Sequence, residues 1–138
     1  MNISSNNEFG KLKAVVIGRP DGANWPKDDL HFQTYWKFGA KGPAKFPYDI
    51  PAEIIAEVNE NIYNICDRLK EHDVEVVRPR STNWKTAFAT HDWACTGMNN
   101  LTMRETLITI GNKVIECPHI YRSKHYESIS YETIFAEK

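Results

Sequence analysis

The hydrophobic positions of this chain fall into short apolar runs and one long helical stripe. Residues 12–17 form a valine-containing run that Gly18 closes, and residues 74–77 form a second run that ends before Pro79. Runs of this length with β-branched residues predict buried strands, because an amphipathic helix needs a longer periodic stretch. Residues 19–22, Arg-Pro-Asp-Gly, predict a turn after the first strand, since proline fixes φ and glycine accepts a positive φ.

The clearest helix is predicted from Pro51 to near His72. Proline is tolerated in the first helical turn, and Glu53 and Glu57 suit the positive end of the helix dipole. Apolar residues recur at steps of three and four and form one stripe along this helix. They are Ile54, Ile55, Val58, Ile62, Ile65, Cys66 and Leu69.

Two β-prone runs, residues 106–110 and 113–117, flank Gly111-Asn112 and predict a hairpin. Residues 123–138 carry a weak apolar stripe and predict a final helix. Residues 23–50 hold many aromatics among glycines and prolines and predict a long irregular segment, either packed on itself or acting as a binding lid. The order of elements predicts a single mixed α/β (α+β) domain over residues 1–138.

Composition excludes several classes of protein. Apolar residues make up 41% and charged residues 25%, which is typical of a globular chain. The net charge of −1 argues against nucleic-acid binding as the main role, since phosphate backbones need dense positive charge. No apolar run approaches the roughly 20 residues of a membrane span. The three cysteines are widely spaced and odd in number, which predicts reduced thiols and a cytoplasmic protein.

One short segment offers candidate chemistry. His91 and Asp92 precede Cys95, and a cysteine needs a nearby base or cation to form a thiolate at neutral pH. The alternative interpretation is a turn followed by a small buried cysteine. Asp92 could also share a polar site with cationic residues elsewhere in the chain, or all of them could be surface charges. Those cations are Lys85, Arg104 and Arg122.

The sequence predicts no metal and no cofactor. Its five histidines show no metal-ligand spacing such as HExxH, and no four-ligand cluster suits a structural zinc ion. No glycine-rich GxGxxG or Walker-type loop is present, so nucleotide binding has no support.

Three stretches together resemble the glycine and inosamine-phosphate amidinotransferases. Residues 7–19 read NEFGKLKAVVIGR and are similar to the family's opening NEW-x-x-L-x-x-V-x-VGR. Residues 90–98 read THDWACTGM and are similar to a TPDFESTG segment. Residues 104–118 read RETLITIGNKVIECP, with YRS at 121–123, and are similar to RDxLxxxGNExIExP followed by WRSR. The Tyr35-Trp36 pair also stands where the family tends to have a YW pair.

The resemblance implies a pentein fold, of which this chain would form about one and a half ββαβ-type modules. It also implies arginine as the amidino donor, attacked by a cysteine thiolate while a histidine moves protons. Asp92 matches the family aspartate that contacts the guanidinium, whereas Lys85 and Arg122 match basic positions without an assigned role. Cys95 stands where the family has serine and Cys117 where it has alanine. The family's nucleophilic cysteine and its histidine lie beyond the matched part.

Three functional hypotheses follow. The first is an amidinotransferase-like protein that binds a guanidino ligand but is inactive unless a complementary C-terminal chain is added. The second is a non-catalytic binding or assembly module, expected to be a homo-oligomer and most simply a symmetric dimer, because a partial propeller leaves open sheet edges. The third is a small thiol hydrolase that uses Cys95 with His91.

Overall fold

Six short strands pair two by two in the residues that the computed structural model describes, 3–39 and 49–136. One pair is parallel and two are antiparallel hairpins. The parallel pair consists of β1 (Ala14–Val16) and β2 (Glu75–Val77), and the hairpins are β3 (Ala87–Ala89) with β4 (Ala94–Thr96) and β5 (Leu107–Ile110) with β6 (Lys113–Glu116). The helices of the described residues are α1 (Leu30–Gly39), α2 (Ala52–Glu71) and α3 (Glu132–Ala136).

The strongest sequence patterns fold as predicted. β1 and β2 lie within the two apolar runs, and α2 begins after Pro51 and ends at its C-cap, His72. Of the predicted stripe, Ile62 and Cys66 are buried, whereas Ile54 and Ile65 are 46% and 53% exposed. Between β5 and β6 the first central turn residue, Gly111, has φ +58°, which is the conformation that favours glycine in a two-residue hairpin turn.

The irregular segment predicted for residues 23–50 is wrong in part, because it contains α1. Its start is capped by Asp29, whose Oδ1 accepts hydrogen bonds from the backbone amides of His31 at 3.0 Å and Phe32 at 3.2 Å. An aspartate that satisfies free amides of the first turn stabilises a helix start. Phe46 and Tyr48, two aromatics of the predicted irregular segment, lie outside the described residues.

Two further predictions need correction. The hairpin of β3 and β4 was not predicted, and the final helix predicted from residue 123 is broken. In its place are 3-10 turns at Arg122–Lys124 and Glu127–Tyr131, followed by the five residues of α3. Buried polar side chains, including those of Glu127 and Ser130, replace the apolar face that a continuous helix would need.

The hairpin of β3 and β4 rests on an aromatic core. Trp84 is fully buried, and a Cβ added to Gly97 would lie 2.4 Å from its Cε3 atom. The Trp84 ring also packs 6.0 Å from the ring of Phe88. Tyr131, equally buried, donates a hydrogen bond of 2.7 Å to the carbonyl oxygen of Asn100. Of the helices in the described ranges, none has the length and apolar composition to cross a membrane.

Candidate functional site

The turn between β3 and β4 presents Asp92 to solvent. The amide of Thr90 donates to the carbonyl oxygen of Trp93 at 2.8 Å, which closes the turn. Thr90 Oγ1 accepts hydrogen bonds from the backbone amides of Asp92 at 3.3 Å and Trp93 at 3.2 Å. A threonine at the start of such a turn commonly fixes it in this way. Asp92 therefore stands at the tip, with its side chain 84% exposed.

The immediate neighbour of Asp92 is His91, which is equally open to solvent. His91 Nδ1 lies 3.0 Å from Asp92 Oδ1, and the His91 side chain is 99% exposed. An exposed ion pair of this kind contributes little to stability, typically about 0.2–1 kcal/mol. The carboxylate of Asp92 is therefore accessible to a cationic ligand.

Trp93, the residue after Asp92, is the centre of a cluster of three aromatic rings and one cation. The other members of this wall are Arg122, His125 and Tyr126. The ring of Trp93 meets that of His125 edge-on at 5.5 Å and that of Tyr126 at 6.4 Å. The guanidinium carbon of Arg122 lies 5.6 Å from the centre of the Trp93 ring. A guanidinium over indole is a favourable cation–π arrangement. The structure thus places Arg122 against Trp93, the residue that follows Asp92.

The other two cations of the predicted polar site have different surroundings. Lys85 Nζ forms an ion pair with Asp49 Oδ1 at 3.0 Å. Arg104 is exposed in the 3-10 turn that precedes β5. No contact of either residue with Asp92 occurs within the described ranges, so of the three cations only Arg122 lies on the wall beside it.

Cys95 is not placed as a nucleophile. Its side chain is buried, with Sγ 3.6 Å from Asp28 Oδ1 and 3.2 Å from the carbonyl oxygen of Thr96. Burial first, and then the negative charge of Asp28, raises the pKa of the Cys95 thiol to about 12. Because His91 is turned to solvent and paired with Asp92, the thiol hydrolase hypothesis is wrong, and a turn followed by a buried cysteine is confirmed.

Neither of the two remaining thiols has a histidine among its described contacts that could move protons. Cys66 is buried on α2, where Arg78 Nη1 lies 3.7 Å from its Sγ. Cys117 is half-buried, with its Sγ 3.9 Å from the carbonyl oxygen of Ile115. All three cysteines are free thiols. Within residues 3–39 and 49–136, no group of three or more His, Cys, Asp or Glu side chains could hold a metal ion.

Sequence reasoning missed two aspartates that hold the site together. Asp28 accepts hydrogen bonds from the backbone amide of Thr96 at 2.8 Å and from its hydroxyl at 2.7 Å. Asp29 accepts from the amide of Ser123 at 2.9 Å and from its hydroxyl at 2.7 Å. Both aspartates thus join the start of α1 to the segments that carry Asp92 and Arg122. The signal available in the sequence was an acidic pair just before a possible helix start.

Asp29 is charged despite complete burial of its side chain. Burial by itself would raise the pKa of Asp29, but hydrogen bonds from Ser123 and from the first amides of α1 hold the pKa below its ordinary value. Charge-assisted hydrogen bonds of this kind are about twice as strong as neutral ones. Asp29 is therefore a structural anchor and not a ligand-facing group.

Comparison with known proteins defines the class first. The chain superposes on the inosamine-phosphate amidinotransferase of Streptomyces griseus with a TM-score of 0.85 and 26% identity, over 98% of this chain and 39% of that one. An amidinotransferase of Microseira wollei, from the saxitoxin biosynthetic pathway, matches with a TM-score of 0.81 and 25% identity. The mixed α/β fold is therefore that of a part of an amidinotransferase. No family model matches the chain.

Comparison of sequences identifies the particular amidinotransferases to which this chain is similar. The chain is 32% identical to the mitochondrial glycine amidinotransferase of Xenopus laevis, over 98% of this chain and 32% of that protein. It is 28% identical to inosamine-phosphate amidinotransferase 1 of Streptomyces glaucescens, over 98% of this chain and 39% of that protein. The predicted resemblance to the glycine and inosamine-phosphate amidinotransferases is confirmed. The chain spans about a third of the length of the curated relatives it matches.

Proposed function

We propose that this chain is an amidinotransferase-like domain that keeps a guanidinium-binding carboxylate, Asp92, and lacks the means of amidino transfer by itself. It forms one domain over residues 1–138, equivalent to about one and a half pentein modules. The resemblance to the amidinotransferases implies transfer of an amidino group from arginine to an amine through a cysteine intermediate. The observation that carries the proposal is the match over 98% of the chain, with Asp92 exposed at the tip of its hairpin.

We expect no amidino transfer by the chain alone, and the environment of its thiols supports this expectation. Attack on a guanidine carbon needs a thiolate beside a group that moves protons. Cys95 faces the carboxylate of Asp28, which opposes a second negative charge, and Cys66 is buried on α2. Cys117 contacts the carbonyl oxygen of Ile115, which cannot stabilise a thiolate. We therefore expect the chain to form no covalent intermediate with a guanidino group.

The exposure of Asp92 limits the affinity of the isolated chain. A guanidinium matches a carboxylate with two parallel hydrogen bonds, but a pair open to solvent contributes only about 0.2–1 kcal/mol. Tight binding needs the site to be enclosed, so a complementary chain that covers Asp92 is the expected partner.

Calorimetric titration with arginine tests the role of Asp92. We expect weak binding, in the millimolar range, that Asp92→Asn weakens about twofold to fivefold through loss of an exposed charge-assisted pair. Asp67→Asn is the matched control, since Asp67 is an exposed carboxylate on α2, where it pairs with Lys70. Equal heats from the protein and from Asp92→Asn would remove Asp92 from the site.

A second candidate function is a non-catalytic assembly module that forms a homodimer. The face of the hairpin formed by Ile108, Ile110 and Ile115 supports it. Ile108 lies opposite Ile115, and the three side chains are 45%, 60% and 46% exposed. Contiguous exposed apolar side chains of this kind often mark association surfaces. Analytical ultracentrifugation should show a dimer that Ile110→Lys dissociates and that Ile120→Lys, at an exposed position outside the hairpin, leaves intact. A monomer at all concentrations would reject this candidate.

We also propose a cytoplasmic location, supported by the three free thiols. One relative is named as a mitochondrial enzyme, so the location needs its own test. Fractionation of cells with an antibody to the chain should recover it with cytoplasmic markers.

A further inference from the structure

Arg122 is a half-buried cation that has no anionic partner in the part of the chain that the structure describes. Its guanidinium carbon lies over the Trp93 ring, 5.6 Å from the ring centre. Within residues 3–39 and 49–136, the guanidinium forms no ion pair and no hydrogen bond. Arg19 differs, since its Nε pairs with Asp21 Oδ2 at 2.7 Å. The charge of Arg122 is therefore available to an anion from outside the chain.

Two carboxylates near the segment of Arg122 are already engaged. Asp28 accepts hydrogen bonds from the amide and the hydroxyl of Thr96, at 2.8 and 2.7 Å. Asp29 accepts from the amide and the hydroxyl of Ser123, at 2.9 and 2.7 Å. Neither carboxylate forms an ion pair with Arg122 among the described contacts. The five N–H donors of the guanidinium are thus left for a ligand.

The backbone around Arg122 is fixed before any ligand binds. The Arg122 carbonyl oxygen accepts a hydrogen bond of 3.1 Å from the amide of His125. Ser123, the next residue, is buried and bound by Asp29. A binding group on a fixed backbone loses less conformational freedom when it takes a ligand, which favours affinity. Arg122 therefore offers a preorganised contact.

The Trp93 ring that supports the guanidinium is fixed as well. The Tyr126 ring packs 6.4 Å from it and stacks 5.3 Å from the Phe88 ring. The Tyr126 hydroxyl donates to the carbonyl oxygen of Ala89 on β3 at 3.3 Å. A guanidinium over an indole is stabilised through its face, whereas its donors lie in its plane. The edge of the Arg122 guanidinium can therefore give two parallel hydrogen bonds to a carboxylate.

Asp92 offers the opposite charge one residue before Trp93. Both residues belong to the turn that the hydrogen bond from Thr90 to Trp93 closes. Because consecutive Cα atoms lie about 3.8 Å apart, one ligand of the size of an amino acid can contact both Asp92 and the cation on the Trp93 ring. Asp92 suits a guanidinium, and Arg122 suits a carboxylate.

We propose that Arg122 is a specificity-determining residue, which binds the carboxylate of a guanidino acid while Asp92 holds the guanidinium. The site then prefers guanidino acids to guanidines that lack a negative charge. This inference rests on the proposed function, because it adds a second contact to the ligand of Asp92. An ion pair that is partly open to solvent contributes little, so we expect a preference of about twofold to fivefold.

A pair of matched ligands tests the preference on the unmodified protein, since argininamide carries a neutral amide where arginine carries a carboxylate. Binding is followed by nuclear magnetic resonance through the backbone amides of residues 90–96 and 121–126. Arginine should bind about twofold to fivefold more tightly. The net charge of −1 favours argininamide, the more cationic ligand, so total charge cannot produce this result. Equal affinities, or no binding of either ligand, would overturn the inference.

Substitution of Arg122 assigns the preference to its guanidinium. Arg122→Gln should bind arginine and argininamide equally, whereas a purely structural role of Arg122 would weaken both ligands alike and leave the preference. Arg104→Gln is the matched control and should keep the preference, since Arg104 is an exposed cation in another 3-10 turn. A preference that survives in Arg122→Gln would contradict the inference. Should that variant fail to fold, Arg122→Lys keeps the charge without the paired donors and should lower the preference.

Citrulline separates this inference from the role of Asp92. It keeps the carboxylate of arginine but carries a neutral urea group in place of the guanidinium. If arginine binds more tightly than citrulline but no more tightly than argininamide, Asp92 holds the guanidinium and the role of Arg122 is wrong. If arginine binds more tightly than argininamide but no more tightly than citrulline, the carboxylate contact of Arg122 stands and the guanidinium site fails.

Discussion

Replacing Glu127 by glutamine should change how the stability of the fold depends on pH. Glu127 is 1% exposed, and its Oε1 accepts a hydrogen bond of 3.2 Å from the amide of Asn99. Its Oε2 lies 3.9 Å from Lys124 Nζ, which is also paired with Glu105. Burial raises the pKa of Glu127 to about 7, despite the opposing effects of Lys124 and of the Asn99 amide.

The sign follows from proton counting. Between the ordinary pKa of 4.5 and the folded pKa of about 7, the folded state holds a proton on Glu127 that the unfolded state has lost. The free energy of unfolding therefore falls as pH rises through this window, by up to about 1.4 kcal/mol per pH unit. Over the whole shift the loss amounts to about 3 kcal/mol, and it is complete above pH 7.

His119 contributes with the opposite sign. Burial, and then the charge of Lys124, lowers the pKa of His119, so its contribution to stability grows as pH rises toward the ordinary value of 6.5. His119 contributes equally to the free energies of unfolding of the unmodified protein and of Glu127→Gln. Its contribution therefore cancels when one is subtracted from the other. Glutamine keeps the oxygen that accepts from Asn99, so the packing is preserved.

Urea unfolding followed by tryptophan fluorescence at pH 5, 6, 7 and 8 measures the effect. Glu127→Gln should be progressively more stable than the unmodified protein as pH rises, with the difference growing by about 2.5 kcal/mol between pH 5 and pH 8 and levelling off above pH 7. Glu132→Gln, at an exposed neighbouring position, is the matched control and should run parallel to the unmodified protein. Parallel curves for Glu127→Gln as well would refute the reasoning.

Two substitutions test the packing of the fold, and one labelling experiment tests the burial of Cys95. Gly18→Ala should destabilise by about 1–3 kcal/mol in urea unfolding, because the new Cβ would lie 2.2 Å from the carbonyl oxygen of Asn100. Tyr131→Phe should cost about 0.5–1.5 kcal/mol, since the carbonyl oxygen of Asn100 loses its hydrogen bond of 2.7 Å but keeps one of 3.3 Å from the amide of Arg19. Cys95 should resist iodoacetamide at pH 8.5 in the folded protein, as its buried thiol has its pKa raised to about 12.

Each change has a control in the same chain. Gly10→Ala meets only the side chain of Asn7, at 3.0 Å, and should be nearly neutral. Tyr63→Phe alters a ring that is 55% exposed and should cost little. Cys117 is half-buried and should label faster than Cys95. Equal labelling of the two thiols in the folded protein would contradict the burial of Cys95.

Sequence patterns predicted the elements whose stability is local. The stripe of α2 repeats over 20 residues, and Gly111 marks its hairpin through backbone freedom alone. α1 escaped prediction because aromatics and nearby glycines and prolines hide its pattern. It is anchored through Asp29 and Ser123, which lie 94 positions apart. A contact of that separation leaves no periodic signal.

The hairpin that presents Asp92 was missed for a similar reason. β3 and β4 have three residues each, too few to show a period, and the pair is held by Trp84 and by Asp28. The resemblance to the amidinotransferases singled out Asp92, whereas the sequence alone could not distinguish it from a turn residue. The burial of Cys95 is likewise a tertiary property, because Asp28 approaches it from 67 positions away.

The most direct measurement follows the label from arginine carrying an isotope at its guanidino carbon. The purified chain is incubated with this arginine and an amine acceptor such as glycine, and label is counted on denatured protein and on the acceptor. We expect neither to exceed a blank without protein, because no described thiol is placed to attack the guanidine carbon. Label retained on the chain, or passed to the acceptor, would show that this protein completes amidino transfer by itself and would contradict the proposed function.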